Sequence, residues 1–122
     1  WGAALDFVQE IGVERLYAHS MALLERLIAA LSQNKRLRLH LPPESRERAP
    51  LLSLIVRGME ATEAAACLDA EGICVRAGYH CAPLAHRALG SFDAGSLRFS
   101  PGWFNTPEEI ESAGLALAKL AR

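Results

Sequence analysis

The sequence has no apolar run long enough to cross a membrane, almost no net charge and only two lysines in 122 residues. Its longest apolar stretches, such as Leu51–Val56 with Ser53 inside, fall far short of the roughly 20 residues a spanning helix needs. The N-terminus also lacks the basic start and continuous apolar core of a signal peptide. Lys+Arg is 13 and Asp+Glu is 14, a net charge of −1, which argues against nucleic acid and anionic membrane as partners. Three cysteines is an odd count and points to free thiols in a reducing compartment, hence a cytoplasmic location. The lysines are Lys35, in a basic turn, and Lys119, near the end of a helix; neither setting suits a buried Schiff-base amine.

What is present is a globular composition, 51% hydrophobic and 22% charged, at a length that allows one domain. Leu16, Tyr17, Leu23, Leu24, Leu27, Ile28 and Leu31 follow helical spacing from Val13, so a long helix is expected there, ending around Ser32–Asn34. Leu5, Phe7, Val8 and Ile11 form a shorter apolar segment, separated from it at Gly12. Arg36–Leu41 alternates strictly at period two and reads as a strand, ended by Pro42-Pro43 and an exposed loop over Glu44–Pro50. Five basic residues between Lys35 and Arg48 read as a solvated strand edge and loop. Further strands are expected at Leu51–Arg57, Ile73–Ala77 and Ser96–Ser100, with an Ala-rich helix at Glu60–Glu71 capped by Gly72. The last helix starts at Thr106, with Pro107 in its first position and Glu109 completing a capping box. The expected architecture is an α/β (two-layer α+β) domain, a sheet of about four strands covered by helices.

Gly78–Gly95 shows no clean periodicity and is expected to be a long loop, the kind of segment that often carries function. It holds Arg76-Ala77-Gly78-Tyr79-His80-Cys81-Ala82-Pro83 at its start, then His86 and Arg87. A cysteine beside histidine and arginine can have its thiolate favoured; a small buried hydrophobe is the competing reading, and local sequence leaves both open. Cys67, in the Ala-rich helix, and Cys74, in an apolar strand, are expected to pack in the core. A zinc site from Cys81, His80 and His86 lacks a C-x-x-C pair or second cluster, so no metal is expected. His19 and His40 read as surface or boundary residues. Arg98, between Leu97 and Phe99, is either a solubilising residue on an edge strand or a bidentate clamp for a carboxylate.

Val75–Leu84, V-R-A-G-Y-H-C-A-P-L, resembles the cysteine-loop signature of PLP-dependent cysteine desulfurases of the class V aminotransferase superfamily. It is nearest the branch that includes selenocysteine lyases, with a motif of roughly R-x-G-x-H-C-A. Leu97–Ile110, L-R-F-S-P-G-W-F-N-T-P-E-E-I, is similar to that family's next landmark, a strand arginine followed by an aromatic-Asn-Thr-x-Glu-Glu-Ile helix start. Phe7–Leu31 is similar to the helix leading from the family's large domain into its small one. The resemblance implies that the chain is the C-terminal small domain alone, without the large domain that carries the PLP lysine. That domain would leave apolar surface exposed where the large domain docks, with Leu5–Ile11 least supported.

The resemblance also implies roles. Cys81 matches the nucleophile that takes sulfur from L-cysteine as a persulfide, leaving L-alanine. Arg98 matches the arginine that holds the substrate α-carboxylate, and His80 and Arg76 match supporting positions beside the cysteine. PLP would act as electron sink in the full-length protein and none is expected in this chain; a sulfur-acceptor protein and a full-length homodimer are the implied partners. Tyr79 departs from the second histidine common in this branch, which leaves the subgroup open. Selenocysteine lysis or another β-elimination, and a stand-alone sulfur carrier or interaction module, remain competing functions.

Overall fold

The computed structural model describes residues 1–42 and 48–121. It opens with α1 (Gly2–Ile11), broken at Gly12 from α2 (Val13–Leu31). Alternation then gives β1 (Leu37–His40) and β2 (Leu52–Val56), followed by α3 (Ala61–Ala70), β3 (Arg76–Gly78), α4 (Pro83–Leu89), β4 (Ser96–Phe99) and α5 (Pro107–Leu120). All pairings are antiparallel and the spatial order is β1-β2-β4-β3, the expected four strands. Of the expected loop Glu44–Pro50, residues 44–47 lie outside the described residues, as do Pro43 and the Arg46 of the basic run.

Strand alternation gives the sheet two different faces. Leu37, Leu52, Leu54, Val56, Leu97 and Phe99 point to one side and are buried. There they meet Leu23, Leu24, Leu27 and Leu31 of α2, Ala64 and Leu68 of α3, and Ile110, Ala113, Ala116 and Leu117 of α5 in a single core. Each fully buried leucine contributes roughly 2 kcal/mol relative to exposure, so this layer holds the domain together. The α5 start is built as the sequence indicates: the Thr106 side chain accepts from the Glu109 N–H, and the Glu109 carboxylate accepts from the Thr106 N–H. The other face carries Arg38, His40, Ser53, Ser96, Arg98 and Arg76, and it positions the site described below.

Four expectations change. The third strand is Arg76–Gly78 rather than Ile73–Ala77, because Ile73 and Val75 pack against the core before the pairing with β4 begins. The expected loop Gly78–Gly95 contains α4, too short to show a period but bounded by Pro83 in its first turn and by Gly90, left-handed at φ 64°, after its last residue. Cys67 and Cys74 are exposed, not core. The buried stripe of α3 is Ala61, Ala64 and Leu68, and Cys67 falls off that stripe, while Cys74 lies in the segment ahead of β3. Finally, β4 is an interior strand, so Arg98 is not an edge residue. No residue of α1 is buried; Phe7 stacks on Phe104 with ring centroids 5.5 Å apart, and Trp1 and Leu5 lie in the open. Among the described residues no helix is long and apolar enough to cross a membrane.

Candidate active site

Antiparallel register sets His40 opposite Ser53, Ser53 opposite Arg98 and Arg98 opposite Arg76, a single row across all four strands on the face away from the core. Two guanidinium-bearing residues thus stand side by side, an arrangement that is unfavourable unless an anion lies between them. The Arg98 Nε is buried and has no hydrogen-bond partner among the described residues, which leaves a donor of the planar guanidinium fork free for a carboxylate.

Beyond β3 the chain reverses in a tight turn in which the Ala82 N–H donates to the Tyr79 carbonyl at 2.8 Å. Its two central residues are His80, φ 51°, and Cys81, φ 60°, the left-handed pattern of a type I′ turn that normally selects Asn and Gly. Placing two ordinary L residues there costs roughly 1–2 kcal/mol each. The surroundings hold the turn in place. Tyr79 stacks on Phe92 at 5.2 Å, and its edge meets His86 at 5.4 Å. His86 is buried, with Nδ1 2.9 Å from the Ser91 hydroxyl. Arg87 lies over the Phe92 ring at 4.8 Å. At the base of the loop, Gly95 approaches Gly78 so closely that a Cβ on Gly95 would meet the Gly78 Cα at 3.1 Å. Strain of this kind persists where structure overdetermines it, and it puts Cys81 in solvent at the tip of the turn. The buried-hydrophobe reading of Cys81 is therefore excluded.

The His80 ring folds back onto β4, with Nε2 3.2 Å from the Ser96 carbonyl and 3.3 Å from the Ser96 hydroxyl. Burial holds its pKa below the ordinary 6.5, and the charges of Arg98, His86 and Arg76 add to the effect against the Ser96 hydrogen bond. His80 is thus neutral at physiological pH. His40 is lowered in the same way, first by burial and then by Arg38 and His86.

Of the residues named from sequence, Arg76, His80 and Arg98 come together at one end of the polar face, and Cys81 follows His80 on the exposed turn. Among the described residues no cluster of His, Cys, Asp and Glu is able to hold a metal ion; His86 is tied to Ser91 instead. His19 bonds the Asn105 carbonyl at 3.1 Å, far in sequence from the turn. A separate cavity lies between the start of α5 and residues 71–74, lined by Cys74, Phe99, Asn105 and Glu109; it touches none of the four site residues. His40, Ser53 and Ser96 were not singled out as site residues by the sequence, because only the strand register shows that Ser96 adjoins His80 and that Ser53 and His40 connect to it in turn. Lys119 is exposed on α5, on the core side of the sheet, and pairs with Glu71 at 3.2 Å; Lys35 is exposed in the turn before β1.

The chain is similar to known proteins over nearly its whole length. The chain is 39% identical over 112 residues to a probable cysteine desulfurase of Synechocystis, covering 90% of this chain and 26% of that protein. It is 41% identical over 118 residues to a probable cysteine desulfurase of Mycolicibacterium paratuberculosis, covering 97% of this chain and 17% of that one. The apo cysteine desulfurase of Thermococcus onnurineus superposes with a TM-score of 0.89 at 28% identity, over 98% of this chain and 29% of the other. The chain therefore spans under a third of the length of these relatives. The family model Aminotransferase class-V matches residues 1–112, and the chain belongs to that family.

Proposed function

We propose that this chain is the C-terminal small domain of a PLP-dependent cysteine desulfurase, in which Cys81 takes sulfur from L-cysteine as a persulfide and L-alanine is released. The observation that carries the reading is an exposed Cys81 on a left-handed turn whose other central residue, His80, lies within electrostatic reach of Arg98, whose buried Nε lacks a partner among the described residues. Thiolate attack on a substrate sulfur needs an accessible thiol on a segment that can first reach the substrate and then present persulfide outward. Cys81, in solvent on the turn beyond β3, has that access. Arg98 holds the substrate α-carboxylate, and Arg76 adds a second positive charge to the same anion site. His80, neutral and fixed on β4, supports the thiol chemistry next to it.

The residues present do not fit the cofactor's Schiff base, so its lysine belongs to a part of the complete protein outside this chain. The complete protein is expected to be a homodimer and to hand the persulfide sulfur to an acceptor protein at the exposed Cys81. Three solvent-facing free cysteines fit a reducing, cytoplasmic setting. The test is alanine release from L-cysteine by the complete PLP-loaded protein. Cys81→Ser should abolish turnover while the PLP absorbance stays; a Cys81→Ser protein with undiminished turnover contradicts the reading.

A further inference from the structure

On the open face of the sheet, His40, Ser53, Ser96 and His80 form one hydrogen-bonded line from the edge strand β1 to the Cys81 turn. The Ser53 hydroxyl donates to Ser96 Oγ at 2.8 Å. With that proton committed, Ser53 Oγ pairs with His40 Nδ1, 3.4 Å away, only as an acceptor, so His40 carries its proton on Nδ1. At the other end a carbonyl oxygen can only accept, so His80 Nε2 carries the proton it donates to the Ser96 carbonyl. Ser96 Oγ, accepting from Ser53, keeps a second lone pair for the same N–H. Ser96 is completely buried, so no water competes for these bonds.

We propose that His40 and Ser53 are positioning residues for the Cys81 turn, acting through Ser96 to hold His80 in its Nε2–H form. This leaves the His80 Nδ1 lone pair to take the proton that Cys81 releases as its thiolate forms. The inference rests on the reading of Cys81 as the nucleophile. The charged and titratable groups that face the two rings all favour neutral imidazoles: Arg98, Arg76 and His86 around His80, Arg38 and His86 around His40. The buried His40 Nε2 has no partner among the described residues, so a second proton there would gain no hydrogen bond from them.

The test is 15N-histidine NMR across pH, with iodoacetamide alkylation of Cys81, on the chain carrying Cys67→Ser and Cys74→Ser. Ser53→Ala and His40→Ala should each move the His80 tautomer ratio toward Nδ1–H by roughly two- to tenfold, the range of one ordinary hydrogen bond. Each should also shift the pH midpoint of alkylation. Ser53→Thr keeps the hydroxyl and His40→Asn keeps a donor at the Nδ1 position, so both should restore the parent behaviour. An unchanged His80 tautomer in a folded Ser53→Ala chain overturns the proposal. So does His40→Asn behaving like His40→Ala, or a changed tautomer with the alkylation profile unmoved. His40 lies on an edge strand, which keeps its variants decisive if Ser53→Ala fails to fold. Failure of the desulfurase reading shows separately, as a Cys81→Ser protein that still turns over, whatever the histidine spectra show.

Discussion

Arg98 on β4 and Arg76 on β3 stand directly opposite each other across an antiparallel pair, and the Arg98 Nε is buried without a partner among the described residues. Like charges in that relation destabilise a sheet by a few tenths to about 1 kcal/mol. On the proposed reading, the substrate carboxylate would remove the conflict and satisfy the buried donor.

In the complete protein, Arg98→Ala should therefore raise KM for L-cysteine by roughly 10- to 100-fold, the value of a charge-assisted hydrogen bond. Arg98→Lys should recover little of it, because an ammonium cannot reproduce the planar fork. Steady-state kinetics checks this; an unchanged KM in Arg98→Ala would remove Arg98 from the substrate site.

The strain at the turn gives a second expectation. Cys81 sits at φ 60°, where glycine has no steric penalty, so Cys81→Gly should raise stability by about 1 kcal/mol while Cys81→Ala should not. Urea denaturation of the two variants measures the difference. A site residue whose loss stabilises the fold is what strain held for function predicts.

The two lowered histidines contribute to the pH dependence near neutrality. Unfolded His40 and His80 titrate near 6.5 and bind protons more readily than the folded forms, so the fold gains stability as pH rises. The contribution is fully present above pH 6.5 and is lost as pH falls through the lowered folded values. Thermal unfolding at pH 8 and pH 5 should show a drop that shrinks in His40→Asn.

At α5 the capping box joins Thr106 to Glu109. Thr106→Ala should cost about 1 kcal/mol, and the hydrogen bonds from Asn105 and Thr106 hold the Glu109 carboxyl below its ordinary value of 4.5. That stabilisation is present above pH 4.5 and disappears as pH falls through the lowered value. Acid unfolding of Glu109→Gln against the parent chain reads it.

Much of this domain was legible before its structure. The leucine spacing of α2 and the Thr106–Glu109 box dictate their helices, and the alternation of Arg36–Leu41 dictates a two-faced strand, because each signal is local. Arg76, His80, Cys81 and Arg98 were named from motifs. What was not legible is non-local. The burial of Cys67 depended on which side of a weakly amphipathic, Ala-rich helix faces the sheet, and Ala61, Ala64 and Leu68 took that side. The interior position of β4, and with it the line from His40 through Ser53 to His80, comes from strand order, which no local pattern encodes.

This chain alone, treated with PLP and desalted, should keep no visible absorption band and release no sulfide from L-cysteine, since neither Lys35 nor Lys119 adjoins the Cys81 turn. A retained band lost in Lys35→Ala or Lys119→Ala contradicts that.

The most direct measurement is mass spectrometry of the Cys81 peptide after the complete PLP-loaded protein turns over 34S-labelled L-cysteine without acceptor or reductant. The account predicts one labelled sulfur added at Cys81, as a persulfide removed by dithiothreitol, with alanine formed in equal amount. Label on Cys67 or Cys74 instead, or alanine formed with Cys81 unmodified, would contradict it.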